Sequence, residues 1–200
     1  MNEREARHDG PAPPRFSTRN SARSQMAEAL FAAEGGADIV VVSAGSDPGP
    51  GVHPLAVDVL AELGIDWSGR PSRSIDDVAH ESWDAVITVC DAARDACPYL
   101  PGARATAHWG LADPAAVEGH RVIQLDAFRM ARDHLRAAVL AFVAIPPASP
   151  ALTEASNTEA LHAALAAGKR ALDDAVAHAN LPISSSPPST TYTDALRPPF

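Results

Sequence analysis

Cysteine, basic charge and long apolar runs are all scarce in this sequence, and each shortage removes a class of protein. Two cysteines, Cys90 and Cys97, stand in 200 residues, too few for a scaffold built on disulfides. On the residues alone they are either inert core thiols or a redox pair. No apolar stretch reaches the ~20 residues of a membrane span, and the N-terminal segment has no apolar core of the signal-peptide kind. A cytoplasmic protein is expected. Sixteen Lys and Arg against 25 Asp and Glu leave a formal charge of −9, which argues against binding nucleic acid or a membrane surface. Any anion site must therefore be local. His8, His80, His120, His134, His162 and His178 show no metal-ligand spacing with cysteine or acid partners. Neither zinc nor an organic cofactor is expected.

What is present is enough for one α/β domain, since 46% of residues are hydrophobic. Residues 1–15 mix charges with Gly10, Pro11, Pro13 and Pro14 and are expected to be disordered. Residues 16–146 carry the alternation of elements. Met26, Leu30 and Ala33 recur at helical spacing over Gln25 to Ala33, with Gly35 and Gly36 as a stop. Asp38 to Ala44 reads as a buried strand, Pro54 opens a helix carrying Leu55, Val59, Leu60 and Leu63, and a helical turn is expected around Ser74 to His80. Ala85 to Val89 is a second buried strand. It leaves Cys90 and Asp91 at the carboxyl end, where open parallel sheets hold their ligands. His108-Trp109-Gly110 and Asp113-Pro114 read as a loop before a long helix from about Ala127 to Ala144. Residues 147–181 are expected to be a linker and a helical extension (Thr158 to Ala179), and 182–200 a disordered Ser/Pro-rich tail.

Chemistry concentrates in Ser17-Thr18-Arg19-Asn20-Ser21-Ala22-Arg23-Ser24, which runs directly into the first helix. Small and polar residues at a helix start leave backbone N–H groups without intrahelical partners, and the helix dipole adds positive potential there. Such a loop attracts an oxyanion. The Arg23 guanidinium can grip two oxygens of a tetrahedral anion, Asn20 suits the left-handed backbone of an amide nest, and Ser24 can set a hydroxyl beneath position 17. The plainer alternative is an N-cap at Ser21 or Ser24. Likewise Asp113 before Pro114 suits a helix-start cap, His53-Pro54 reads as a turn and helix start, and His108 with Trp109 reads as packing.

Several separated stretches together resemble the thioredoxin-coupled arsenate reductases of the low-molecular-weight protein tyrosine phosphatase family. They are Asn20 to Glu28, Ser43-Ala44-Gly45, Val52-His53-Pro54, Gly64-Ile65-Asp66, Ile87 to Asp91, Cys97-Pro98, His108-Trp109-Gly110 with Asp113-Pro114-Ala115, and Phe128-Arg129. The resemblance implies a three-layer α/β/α fold with a short parallel sheet and an N-terminal phosphate-binding loop. It implies that arsenate or phosphate sits on residues 18–24. The family's nucleophilic cysteine corresponds to Ser17, the general acid to Asp113 and the later thiols of the relay to Cys90 and Cys97, with thioredoxin or a similar thiol reductant as partner. Some members hold potassium near residues matching Glu28 and Ser43.

Two departures matter. A loop thiol becomes a thiolate well below its ordinary pKa of about 8.5, but a serine hydroxyl stays protonated and is a weak nucleophile. Serine also gives Cys90 no sulfur to attack. In this fold a buried central strand leads into the loop, yet Pro11, Pro13 and Pro14 precede it here, so that strand is expected to be missing or degenerate. Either a frame or start-site disturbance just upstream of Thr18 or genuine divergence of the sequence would account for both losses. The expected activity is therefore reduction of arsenate in intact relatives and impairment here. The alternatives are an oxyanion- or arsenite-binding pseudoenzyme, or a protein tyrosine phosphatase-like hydrolase.

Overall fold

A computed structural model describes residues 19–36, 39–90, 103–145 and 154–179. The expected disordered ends, Ser17, Thr18 and Cys97 lie outside the described residues, as does the stretch between Cys90 and Cys97. The elements are α1 (Arg23–Glu34), α2 (Pro54–Ala61), β1 (Ala85–Cys90), β2 (Ala105–Leu111), α3 (Arg121–Val143) and α4 (Glu154–Ala179), with single 3-10 turns at Ile75–Asp77 and Pro114–Ala116. They form an α/β layered fold.

β1 and β2 pair in parallel, Ala85 opposite Ala105 through Thr88 opposite His108, and the register then slips so that Cys90 faces Leu111. The irregularity falls where the strands reach the site. β2 includes His108, Trp109 and Gly110, so the loop expected there is a strand instead. Its side chains explain the difference: Trp109 is fully buried while His108 pairs through Nδ1 with Thr88 Oγ1 at 2.7 Å across the ladder. A small, polar strand carries no apolar alternation to announce it.

The strand expected at Asp38 to Ala44 does not form a ladder. Residues 39–43 run without strand pairing, Val40 is 80% exposed, and the one nearby pairing is an isolated parallel bridge from Gly45 to Ser74. A strand is held by its neighbours' N–H and C=O groups, and among the described residues none lies alongside this segment to supply them. Between it and β1 lies a cleft of about 1140 Å³ lined by Val40, Val42, Val86 and Thr88. For the same reason β1 is half-buried rather than fully buried.

The core forms where α1, α2 and α3 meet: Met26, Leu30, Val59, Leu60, Phe128, Leu135 and Val139 are all fully buried. Phe31 stacks near Trp109 at 6.0 Å and meets Phe142 edge-on at 5.3 Å, a geometry that stabilises aromatic clusters beyond their area. α3 begins at Arg121, several residues before the expected start. Its first turn exposes Val122 and Ile123 and so shows no apolar stripe. α4 packs on α3 and β2. Its Gly168 sits so close to the Trp109 ring that a Cβ there would be 2.2 Å from Cζ2, and Trp109 Nε1 donates to the Leu165 carbonyl at 3.2 Å.

Candidate functional site

The segment entering α1 is shaped by Asn20, the one non-glycine with positive φ (48°) among the described residues. Asparagine tolerates that conformation, and here its side chain is fully engaged as well. Its Nδ2 donates to Ser24 Oγ (3.1 Å) and Ser43 Oγ (2.8 Å), and its Oδ1 accepts from the Arg73 N–H (2.8 Å) and Gln25 Nε2 (3.2 Å). The Asn20 carbonyl accepts from Ser72 Oγ at 2.7 Å. Asn20 is 2% exposed, so each of these bonds replaces water that cannot reach it. The segment is also tied at Arg19, whose carbonyl accepts from Gly49, and at Ser21, whose carbonyl accepts from His53 at 2.7 Å.

Neither Ser21 nor Ser24 caps α1. The N-cap is Ala22, and among the described residues it makes no side-chain cap bond. Among the described residues the first-turn amides of α1 therefore have no side-chain cap, which suits a helix N-terminus that draws an anion. Arg23, the first helical residue, reaches across to β2: Nη1 donates to the Leu111 carbonyl at 2.5 Å and Nη2 stands 3.3 Å from Asp113 Oδ2. Leu111 is the residue opposite Cys90. One guanidinium thereby joins the loop, the carboxylate of Asp113 and the end of the ladder where the Cys90 backbone lies.

Asp113 serves a second purpose. Its Oδ1 accepts from the Ala115 N–H at 3.2 Å, capping the turn that Pro114 opens, so the structural role and the pairing with Arg23 coexist. His53 likewise caps α2 by accepting from Leu55 at Nδ1 (3.1 Å), and its ring stacks on Phe128 at 4.7 Å. Burial pushes the His53 pKa below the usual histidine value, with the Asp113 charge working against it. A neutral ring is what an accepting Nδ1 requires. Arg19 to Arg23 and Asp113 all open onto the cleft beside β1.

Behind the loop lies a polar cluster around Glu28 and Ser43, which the resemblance singled out, and Arg73, which it did not. The Glu28 carboxylate is 6% exposed as a residue and accepts from the Ser43 N–H (2.9 Å) and Ser43 Oγ (2.6 Å). Arg73 Nη1 stands 3.2 and 3.5 Å from its two oxygens. Gln25, also buried, bonds Trp67 Nε1 through its oxygen (2.8 Å) and the Pro71 carbonyl through its nitrogen (3.1 Å). Potassium, implied here by the resemblance, needs converging oxygen lone pairs. Around Glu28 and Ser43 the structure instead turns a guanidinium and the Asn20 amide nitrogen inward, and this arrangement does not fit the ion. Among the described residues no group of three His, Cys, Asp or Glu side chains gathers as for a metal, and no helix is long and apolar enough to cross a membrane.

A family model described as low molecular weight phosphotyrosine protein phosphatase matches residues 16–145. The chain belongs to this family. Within the phosphatase family its relatives include an arsenate reductase of Halalkalibacterium halodurans, 41% identical over 118 residues covering 59% of this chain and 84% of that one. The arsenate reductase of Bacillus subtilis is 38% identical over 118 residues with the same coverage. Among solved structures, one described as an arsenate reductase in the phosphate binding state superposes with a TM-score of 0.54 at 33% identity, covering 63% of this chain and 91% of the other. The arsenate reductase of Archaeoglobus fulgidus superposes with 0.53 at 28% identity, covering 63% and 94%. α4 lies beyond the matched family region.

Proposed function

We propose that this chain is an arsenate reductase-type protein whose loop, residues 17–24, binds arsenate or phosphate through main-chain amides and Arg23, and whose relay stops at binding because position 17 is serine. The observation that carries the reading is the convergence of Arg23, Asp113 and the Cys90 position at one end of the sheet. An incoming tetrahedral anion competes with Asp113 for the guanidinium, and bidentate contact with two anion oxygens outweighs a single, partly exposed contact at 3.3 Å. Asp113 is then left beside the anion, in place for the role of general acid toward a leaving oxygen that the resemblance implies.

With a thiolate at position 17, as the resemblance implies for intact relatives, sulfur displaces that oxygen as water and arsenic remains pentavalent. Cys90 then attacks this sulfur, an S–S bond forms, and the S–As bonding pair leaves with arsenic as arsenite. Cys97 next attacks Cys90, closing a Cys90–Cys97 disulfide and freeing the first thiol, and a dithiol such as thioredoxin supplies the two electrons that reopen it. Ser17 blocks this sequence at its first bond. It is a protonated alcohol with no base visible in the loop, and an oxygen ester has no S–As pair to release. The binding step survives.

Thermal melting with inorganic phosphate tests the binding step. A ligand at about 100 times its Kd adds about 2.7 kcal/mol to the folded state, which for a domain of this size raises the midpoint by roughly 5–10 °C. Arg23→Met should abolish the rise. An unmoved midpoint at tens of millimolar phosphate would overturn the proposal.

A further inference from the structure

We propose that Arg73 is a built-in counter-ion that takes the place of a bound monovalent cation behind the loop, and that it is a positioning residue for the Asn20 turn. A buried carboxylate such as Glu28 requires a positive partner, since an isolated charge out of water is strongly disfavoured. Arg73 supplies it through Nη1. Two backbone bonds fix where Arg73 stands: the Gly45 N–H donates to the Arg73 carbonyl at 2.9 Å, and Ile75 donates to the Gly45 carbonyl at 3.0 Å. The parallel bridge between Gly45 and Ser74 thus delivers the arginine to the residue pair Glu28 and Ser43.

The same residue reaches the loop by two routes. Its own N–H donates to Asn20 Oδ1, while its side chain holds the Glu28 carboxylate that orients Ser43, whose hydroxyl in turn accepts from Asn20 Nδ2. The oxygens of Glu28, Ser43 and Asn20 already accept from donors within the cluster, and no buried side-chain polar atom among the described residues lacks a partner. A guanidinium is also tethered, so its occupancy does not depend on salt composition.

The test reads melting midpoints in potassium, sodium and tetramethylammonium chlorides at equal ionic strength, the last cation being too large to enter a carboxylate cluster. The natural chain should melt within about 1 °C in all three. Arg73→Met keeps the backbone N–H and much of the stem but removes the charge. It should melt about 5 °C lower in tetramethylammonium and recover at least half of that in an alkali chloride; Arg73→Lys should restore indifference to the cation. Arg121→Met, which removes an exposed pairing with Asp58, is the control and should show no cation response. Preferential stabilisation of the natural chain by potassium or sodium over tetramethylammonium would overturn the proposal, as would an Arg73→Met variant no more sensitive than the control. These melts are read without phosphate and stand apart from the oxyanion reading. Only the added expectation that Arg73→Met weakens phosphate binding several-fold rests on that reading.

Discussion

Replacing Asp113 by asparagine should tighten phosphate binding, although aspartate is the residue placed beside the bound anion. Asp113 Oδ2 lies 3.3 Å from Arg23 Nη2, with side-chain exposures of 42% and 12%. A pair so open to water contributes about 0.5–1 kcal/mol, and an anion that claims Arg23 must first forfeit it. Asparagine removes that competition and the like-charge repulsion, while its side-chain oxygen still caps the Ala115 N–H. The Kd for inorganic phosphate should fall by about 2- to 5-fold from the lost pairing alone, with a larger gain at low ionic strength. Isothermal titration at pH 7.5 in low and high salt measures both. The unliganded variant should melt about 1–4 °C lower. In a Ser17→Cys background the same change should cost about 10²- to 10⁴-fold in turnover, because the proton donor is gone. Weaker phosphate binding by Asp113→Asn, at either salt concentration, would refute the competition and with it the placement of the anion on Arg23.

Three further outcomes follow from particular contacts. Gly168→Ala should destabilise the chain by about 1–3 kcal/mol despite the better helix propensity of alanine, because the new methyl meets a Trp109 ring pinned by its bond to Leu165; a raised midpoint would mean α4 does not rest on the core. Asn20→Ala should lose about 2–4 kcal/mol, counting the left-handed backbone and the unpaired Arg73 N–H and Ser43 hydroxyl it leaves. Asn20→Gly should recover only about 1 kcal/mol of this, and an Asn20→Gly variant as stable as the natural chain in chemical denaturation would show that the side-chain bonds contribute nothing. Hydrogen bonds from Arg129 and Arg132 lower the Glu62 pKa from 4.5 to about 2. Its stabilising contribution is therefore complete above pH 4.5 and disappears as pH falls toward 2. Glu62→Gln should flatten the decline of the melting midpoint across that window, and parallel acid profiles would count against the pairing.

Much of the fold was legible wherever local chemistry and tertiary packing agree. The helix after the loop, the Pro54 helix with its histidine at the start, and the aspartate before Pro114 all follow from capping and glycine or proline stops that act within a few residues. Misreadings arise where pairing decides. Ile39 to Val42 has every residue a strand needs and forms no ladder, since β-structure is a property of two neighbouring segments. Ala105 to Leu111 has little strand character and becomes β2, because Trp109 is buried under α4 and His108 meets Thr88. In the site, Asn20 and Arg23 were readable from the loop chemistry. Arg73 was not, for it meets Glu28 across 45 positions of chain and sits in an unremarkable polar stretch, Ser72-Arg73-Ser74, where only the Gly45 bridge gives it a task.

The most direct trial of the central claim is arsenite formation from arsenate with thioredoxin, its reductase and reduced nicotinamide cofactor, comparing the natural chain with Ser17→Cys. The natural chain should form no arsenite above the protein-free rate, while the cysteine variant should form it with one reductant oxidised per arsenite released. Turnover by the natural chain at a rate matching the variant would contradict the account, for an alcohol at position 17 would then be doing what only ionised sulfur is argued to do.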